Sequence, residues 1–149
     1  MTRTTERRKA VAADAEAIAA VLRGMGDENI GLGKDWDATR AREWIERLGE
    51  SGIIVVAYDG SIPVGFAALD YSTTEPETGV LGVWILPDHR RRGLATDLAD
   101  DLLEFARNKG YRRIRGRLPD GNEAALSFLS GIGAMVPLRN PSMTFELPL

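Results

Sequence analysis

The chain has no cysteine and a single histidine among its 149 residues. Without cysteine there is no thiolate nucleophile, no disulfide and no thiol metal site. His89 alone cannot build a histidine metal cluster and leaves little for a Ser-His-Asp triad. No apolar run reaches the roughly 18 residues of a membrane span. The first residues, MTRTTERRKAVAAD, lack the apolar core of a signal peptide, so a cytoplasmic protein with no membrane partner is expected. Positive charge is not in excess either. The net charge is -3, unlike that of a polycation seeking nucleic acid.

What is present suits one soluble domain. The chain is 44% apolar and 28% charged, and long enough to bury a core without covalent staples. RRKAV at 7–11 reads as a strand. Asp14 stands where an N-cap would for a helix striped by Ile18, Val21, Leu22 and Met25. The glycine-rich stretch 24–37 reads as a loop. Thr39 then caps a helix with Ala41, Trp44, Ile45 and Leu48 on one face. Residues 51–71 are two β-rich runs joined at Asp59-Gly60, a hairpin signal. ETGVLGVWIL is a strand that Pro87 ends. Leu94, Ala95, Leu98, Ala99, Leu102, Leu103 and Ala106 recur at helical spacing until Gly110. RRIRGRL is a strand, NEAALSFLSGIG a helix, and AMVPL and MTFELPL a closing strand pair. The order β-α-α-β-β-β-α-β-α-β-β predicts an α/β protein with a mixed sheet and helices on both faces.

The stretch RRRGLA, residues 90–95, joins a proline-ended strand to the striped helix. A helix's first N–H groups lack intrahelical partners, and its macrodipole makes that end positive. Small residues at Gly93 and Ala95 let an anion come close, and Arg90, Arg91 and Arg92 add charge at the mouth. The arrangement suits a pyrophosphate. It lacks the lysine of a nucleotide-hydrolysing P-loop and the three glycines of a dinucleotide fingerprint. On spacing alone, a solvated basic turn is an equal account.

Gly79 to Ala134 resembles the Gcn5-related N-acetyltransferase (GNAT) family. Arg90-Arg91-Arg92-Gly93-Leu94-Ala95 fits that family's Arg/Gln-x-x-Gly-x-Gly/Ala signature. Ile85-Leu86-Pro87 is similar to the strand end that precedes it, and Asn122-Glu123-Ala124-Ala125-Leu126-Ser127-Phe128 to the helix that follows. The element order along the whole chain, 1–149, matches a single GNAT domain. The resemblance implies that acetyl-CoA is the co-substrate and that no metal is needed. Its pyrophosphate would be held around Arg90, Arg91, Arg92, Gly93, Leu94, Ala95 and Thr96. Its pantetheine arm would pair with Val83, Trp84 and Ile85, where the sheet splays. The N–H of Val83 or Ile85 would polarise the thioester carbonyl. Asn122 would bond the arm and Phe128 would pack near it. The implied activity is acetyl transfer to a primary amine, of a small molecule before a protein, by direct attack in a ternary complex. Homodimers are common among such proteins.

The usual acid and base of that family are missing. Their matching positions hold Gly79 and Leu81 on the strand and Leu129 after the helix asparagine. Glu77 and Tyr71 are the nearest ionisable candidates, each also readable as a solvated surface group. A module that binds acyl-CoA without turnover is therefore the alternative from another class. Nucleic-acid binding through Arg113, Arg115 and Arg117 ranks lower, because no aromatics are interleaved for stacking. A solvated or salt-bridged strand face accounts for those arginines. Trp36 with Asp27, Glu28, Asp35 and Asp37 would form an acceptor wall or an ordinary loop, Trp84 is core or cleft wall, and His89 is a surface residue.

Overall fold

The computed structural model describes residues 5–25, 36–89, 93–117 and 144–149. The elements run β1 (Thr5–Lys9), α1 (Ala15–Gly24), α2 (Ala38–Leu48), β2 (Ile53–Asp59), β3 (Ile62–Tyr71), β4 (Thr78–Ile85), α3 (Leu94–Lys109), β5 (Arg113–Arg117) and β6 (Thr144–Pro148). Short 3-10 turns at Ala12–Asp14 and Pro87–His89 precede α1 and follow β4. The strands form one sheet in sequence order, antiparallel throughout except for the parallel pair β4–β5. A mixed sheet in an α/β fold is thus found as expected. The expected helix at 122–133 and strand at 134–138 lie outside the described residues.

Alternation along the strands divides the core in two. Val55, Ala57, Ala67, Leu69, Leu81, Ile85 and Ile114 face Leu94, Leu98, Leu102, Leu103 and Ala106 of α3. On the other face Ile54, Val56, Phe66, Ala68 and Trp84 meet Ile18, Val21 and Leu22 of α1 and Ala41, Trp44 and Leu48 of α2. The β2–β3 hairpin turns at Gly60, whose φ of 65° is one that side chains disfavour.

Both expected helix caps are corrected. Asp14 does precede α1, but its carboxylate accepts from the Val11 N–H at 2.9 Å behind it and caps no α1 amide. It also takes Arg8 and the Tyr58 hydroxyl, each at 2.8 Å, which is why a 1%-exposed carboxylate is tolerated. Thr39 sits inside the first turn of α2, where Asp37 is the cap and accepts from the Arg40 N–H at 2.9 Å. The first strand lies at Thr5–Lys9, two residues earlier than RRKAV, because Asp14 draws Val11 into the 3-10 turn.

Adjacent arginines of β1 tie helices on opposite faces. Arg7 meets Asp97 at 3.6 Å and Asp101 at 3.3 Å on α3, while Arg8 reaches Asp14 ahead of α1.

Candidate functional site

A fork between β4 and β5 is the feature that organises the site. Their parallel register holds only for Thr78–Arg113, Gly79–Ile114 and Val80–Arg115. Beyond Val80, β5 supplies no further register partner to β4 among the described residues. On its other side β4 keeps an unbroken register with β3, from Tyr71–Gly79 to Gly65–Ile85. The Ser72 N–H donates to the Thr78 carbonyl, and the Leu86 N–H to that of Val64. Backbone groups alternate between the two edges of a strand, so the even-numbered residues of β4 bond β3. Val83 and Ile85 direct their N–H and C=O groups outward, into the fork, while the Leu81 N–H is the last that the parallel register gives to β5, at the Arg115 carbonyl. Trp84 turns its own toward β3. Of the three residues expected to pair with a ligand's arm, Val83 and Ile85 have the required direction and Trp84 does not.

The Trp84 side chain is core. It stacks on Phe66 with centroids 4.7 Å apart, and Trp44 packs edge-on at 6.0 Å. Gly82 makes room for it, since a Cβ there would meet the Trp84 ring at 2.2 Å. Trp36 extends the cluster at 5.3 Å from Trp44, with Arg40 4.5 Å above its ring. The buried Nε1 of Trp36 has no hydrogen-bond partner among the described residues. Asp37 stays exposed as the α2 cap, and Asp27, Glu28 and Asp35 lie outside the described residues.

At the open end of the fork, the chain turns through Pro87–His89 toward α3. His89 is partly exposed there, and Arg90, Arg91 and Arg92 lie outside the described residues. Gly93 adopts φ 78°, ψ 2° immediately before α3. That left-handed conformation favours glycine, and among the described residues nothing stands within 4 Å of where its Cβ would be. The helical ladder opens with the Asp97 N–H donating to the Gly93 carbonyl at 3.0 Å. The N–H groups of Leu94, Ala95 and Thr96 precede that bond, so they stand outside the α3 ladder. Outward donors on β4 and a side-chain-free helix start fit an extended ligand ending in phosphates. Asn122, Phe128 and Leu129 lie outside the described residues.

The two ionisable candidates sit at the closed end. Glu77 has φ 63°, is exposed, and pairs with Arg112 at 3.3 Å. Its carbonyl accepts from the Arg112 and Arg113 N–H groups, which fastens β5 beside the start of β4. Tyr71 lies across from Gly79, with the Arg47 guanidinium 5.6 Å from its ring centre. A shallow depression of ≈ 410 Å³, lined by Glu50, Ser51, Glu77, Lys109, Gly110 and Tyr111, lies at this closed end as well.

The sequence reading missed a charged row across the head of the fork. Asp70, Val80 and Arg115 occupy one register line over three adjacent strands, on the face opposite α3. Asp70 accepts from Arg47 at 2.5 and 3.0 Å and from Trp44 Nε1 at 3.3 Å. Asp70, first through its hydrogen bond and against the cost of burial, holds the Arg47 guanidinium's pKa above its ordinary value. Val80 between them is 42% exposed. Arg115 bonds Glu75, whose carboxylate also lies 3.9 Å from Arg113. The expected salt-bridged arginine face is therefore found for Arg113 and Arg115. Among the described residues no group of three or more His, Asp or Glu is placed to hold a metal ion.

A model of the acetyltransferase (GNAT) family matches residues 19–133. An uncharacterized N-acetyltransferase of Methanocaldococcus jannaschii is 29% identical over 96 residues, which are 61% of this chain and 42% of that protein. The match thus covers less than half of that relative's length. Among solved structures, yncA from Salmonella typhimurium, described as an acetyltransferase and solved with its cofactor acetyl-CoA, superposes with a TM-score of 0.85. It is 18% identical, over 97% of this chain and 94% of that one. A GNAT superfamily phosphinothricin acetyltransferase from Sinorhizobium meliloti, in complex with acetyl-CoA, gives 0.83 at 17% identity, over 98% and 89% of the two chains. At such identities the likeness is one of fold.

Proposed function

Because the chain belongs to the acetyltransferase (GNAT) family, we propose that it transfers acetyl from acetyl-CoA to a primary amine of a small molecule. The observation that carries this reading is the fork: β4 turns the Val83 N–H outward at a position β5 does not cover. Acetyl-CoA would supply an acetyl thioester, which an amine opens with loss of the thiol. The chain's own part is to bind and orient. The outward groups of Val83 and Ile85 would hold the pantetheine arm and polarise the thioester carbonyl. Leu94, Ala95 and Thr96 would meet the pyrophosphate with their N–H groups, beside Gly93 and the arginines at 90–92. Asn122 and Phe128 would line the arm. Trp84 would serve through its side chain, by fixing β4 against Phe66.

The acceptor amine would approach over Val80, from the face that α3 leaves free, and attack directly with both reactants in one cleft. Tyr71 and Glu77, at the closed end of the fork, are the proposed groups for moving the amine's proton, each through water. No helix among the described residues is long and apolar enough to cross a membrane. A single domain over 1–149, a cytoplasmic setting and a homodimer belong to the same proposal.

The second reading, an acyl-CoA-binding module without turnover, is favoured by one observation: the exposed side chain at the head of the fork is that of Val80, which cannot titrate. Calorimetry with acetyl-CoA, followed by a thiol-release assay over a panel of amines, separates the two. Binding with release supports the transferase. Binding without release on any amine supports the module, and no binding removes both.

A further inference from the structure

The sheet ends at β1, a strand of polar residues, Thr5 to Lys9, every one of them exposed. The Ala10 N–H donates to the Ile54 carbonyl at 2.7 Å, so the even-numbered residues of β1 bond β2. Thr5, Arg7 and Lys9 turn their N–H and C=O groups the other way, to an edge that no strand covers among the described residues. Lysine and arginine on such an edge ordinarily keep a second chain away. Here acids stand beside them. On one face Arg7 meets Asp97 and Asp101 of α3, and Asp100 and Glu104 belong to the same helix. Burial first, and then the charges of Asp97, Glu104 and Asp100, hold the Asp101 carboxyl above its ordinary pKa, although Arg7 pulls it down. On the other face Glu6 and Arg8 point the same way, toward the side of α1. The side chains of Glu6 and Lys9 have no partner among the described residues.

We propose that β1 pairs antiparallel with β1 of a second copy of this chain, about a two-fold axis at Arg7, joining two sheets into one. This takes up the homodimer of the reading above and gives it an interface; it does not depend on acetyl transfer. With Arg7 on the axis, Thr5 lies across from the partner's Lys9, and Glu6 across from the partner's Arg8. The outward groups of Thr5, Arg7 and Lys9 then exchange about six backbone bonds, two for each facing pair. Glu6 meets a guanidinium that Asp14 at 2.8 Å and the Tyr58 ring at 4.7 Å already hold in place. An opposite-charge pair directly across strands is stabilising, and the axis makes this one twice. Charge also selects the register. A slip of two residues sets Glu6 against Glu6, or Arg8 against Arg8, and a slip of one turns the bonding groups away. On the α3 face the two copies of Arg7 meet, each already engaged by Asp97 and Asp101. The partner's Arg7 and Lys9 arrive there beside the acids of α3 and add the positive charge that one Arg7 does not supply. β2 and β3 separate β1 from the fork at β4, so the pairing leaves both forks open.

Sedimentation equilibrium tests the pairing, and cysteine cross-linking tests its register. The wild-type protein is expected at twice the mass of one chain, and a protein that stays monomeric overturns the proposal. Glu6→Arg sets like charges across both Glu6–Arg8 positions and is expected to raise the dissociation constant about tenfold, with an unchanged dichroism spectrum. The chain has no cysteine of its own, so introduced thiols report without background. Thr5→Cys and Lys9→Cys together place thiols across each end of the pair, with Cα atoms roughly 5.5 Å apart and within disulfide reach. Within one chain the same positions lie roughly 13 Å apart, which forbids an internal bridge. After mild oxidation the double variant is expected as a cross-linked dimer on a non-reducing gel, and each single variant as a monomer. A dimer that Glu6→Arg leaves equally tight, or that the double variant fails to cross-link, uses another surface and overturns the proposal. Single variants that cross-link as well as the double one overturn it too. Calorimetry with CoA is the separate readout: its failure removes the acetyl-transfer reading, while mass and cross-link still decide this one.

Discussion

Val80 lies directly across from Arg115, and theirs is the last register that β4 and β5 share. Below that pair both edges of β4 are bonded. From Val83 onward, among the described residues, the strand is bonded on the β3 side alone. The contrast sets the expected outcome of a proline placed at Val83. Proline removes an N–H, but the one removed points into the fork and takes no part in the β3 ladder. Val83→Pro is expected to fold, with CoA affinity lowered by about three- to tenfold, the worth of one hydrogen bond. Trp84→Pro, which removes a ladder bond, is expected not to fold. Circular dichroism and calorimetry on the two proteins check this.

Gly93 and Gly110 bracket α3 in the same left-handed conformation, with φ of 78° and 88° and, among the described residues, open space around each Cβ position. Alanine at either should cost about 1–2 kcal/mol of stability through backbone strain alone. Only Gly93 borders the helix start expected to hold phosphates. Gly93→Ala should therefore weaken CoA binding while Gly110→Ala, equally strained, leaves it unchanged. Thermal melts and calorimetry on the pair separate strain from site.

Asp14 titrates in a way that couples stability to acid. Burial pushes its pKa up, but the Val11 N–H, Arg8 and the Tyr58 hydroxyl outweigh that and hold it below the ordinary 3.8. A depressed carboxylate contributes stability above the unfolded pKa and loses it as pH falls through the folded one. Asp14→Asn should lower stability at pH 7 by about 1–3 kcal/mol, with the difference from wild type shrinking below about pH 4. Urea melts across that range measure it.

Gly82 carries the Trp84 ring at a distance no Cβ tolerates. Gly82→Ala should displace the indole from Phe66 and cost about 1–3 kcal/mol, the usual penalty of overpacking. Loss of near-ultraviolet dichroism with the far-ultraviolet spectrum retained is the expected signature.

The periodic parts of the fold were legible because periodicity reports burial. Leu94 to Ala106 announced the face of α3, and Ile18, Val21 and Leu22 that of α1. Caps were legible only as residue types: Asp14 had the chemistry of a cap but met stronger partners in Arg8 and Tyr58, which lie far from it along the chain or across a turn. The start of α3 could be read from Gly93 because glycine at a strand-to-helix turn has few uses. The row of Asp70, Val80 and Arg115 could not. Its members come from three strands, and only the register of the sheet brings them into line. The direction of the Trp84 backbone was hidden for the same reason, since it depends on which neighbour takes the even-numbered bonds.

The one-sided bonding of β4 also dictates how its amides meet solvent over time. Gly82 and Trp84 give their N–H groups to β3, while Val83 and Ile85, which alternate with them, turn theirs to the fork. Hydrogen exchange along this strand should therefore alternate residue by residue, slow at Gly82 and Trp84 and fast at Val83 and Ile85. A ligand lying along the edge would slow the fast set alone, and the sheet would then behave as though it had gained the strand it lacks there.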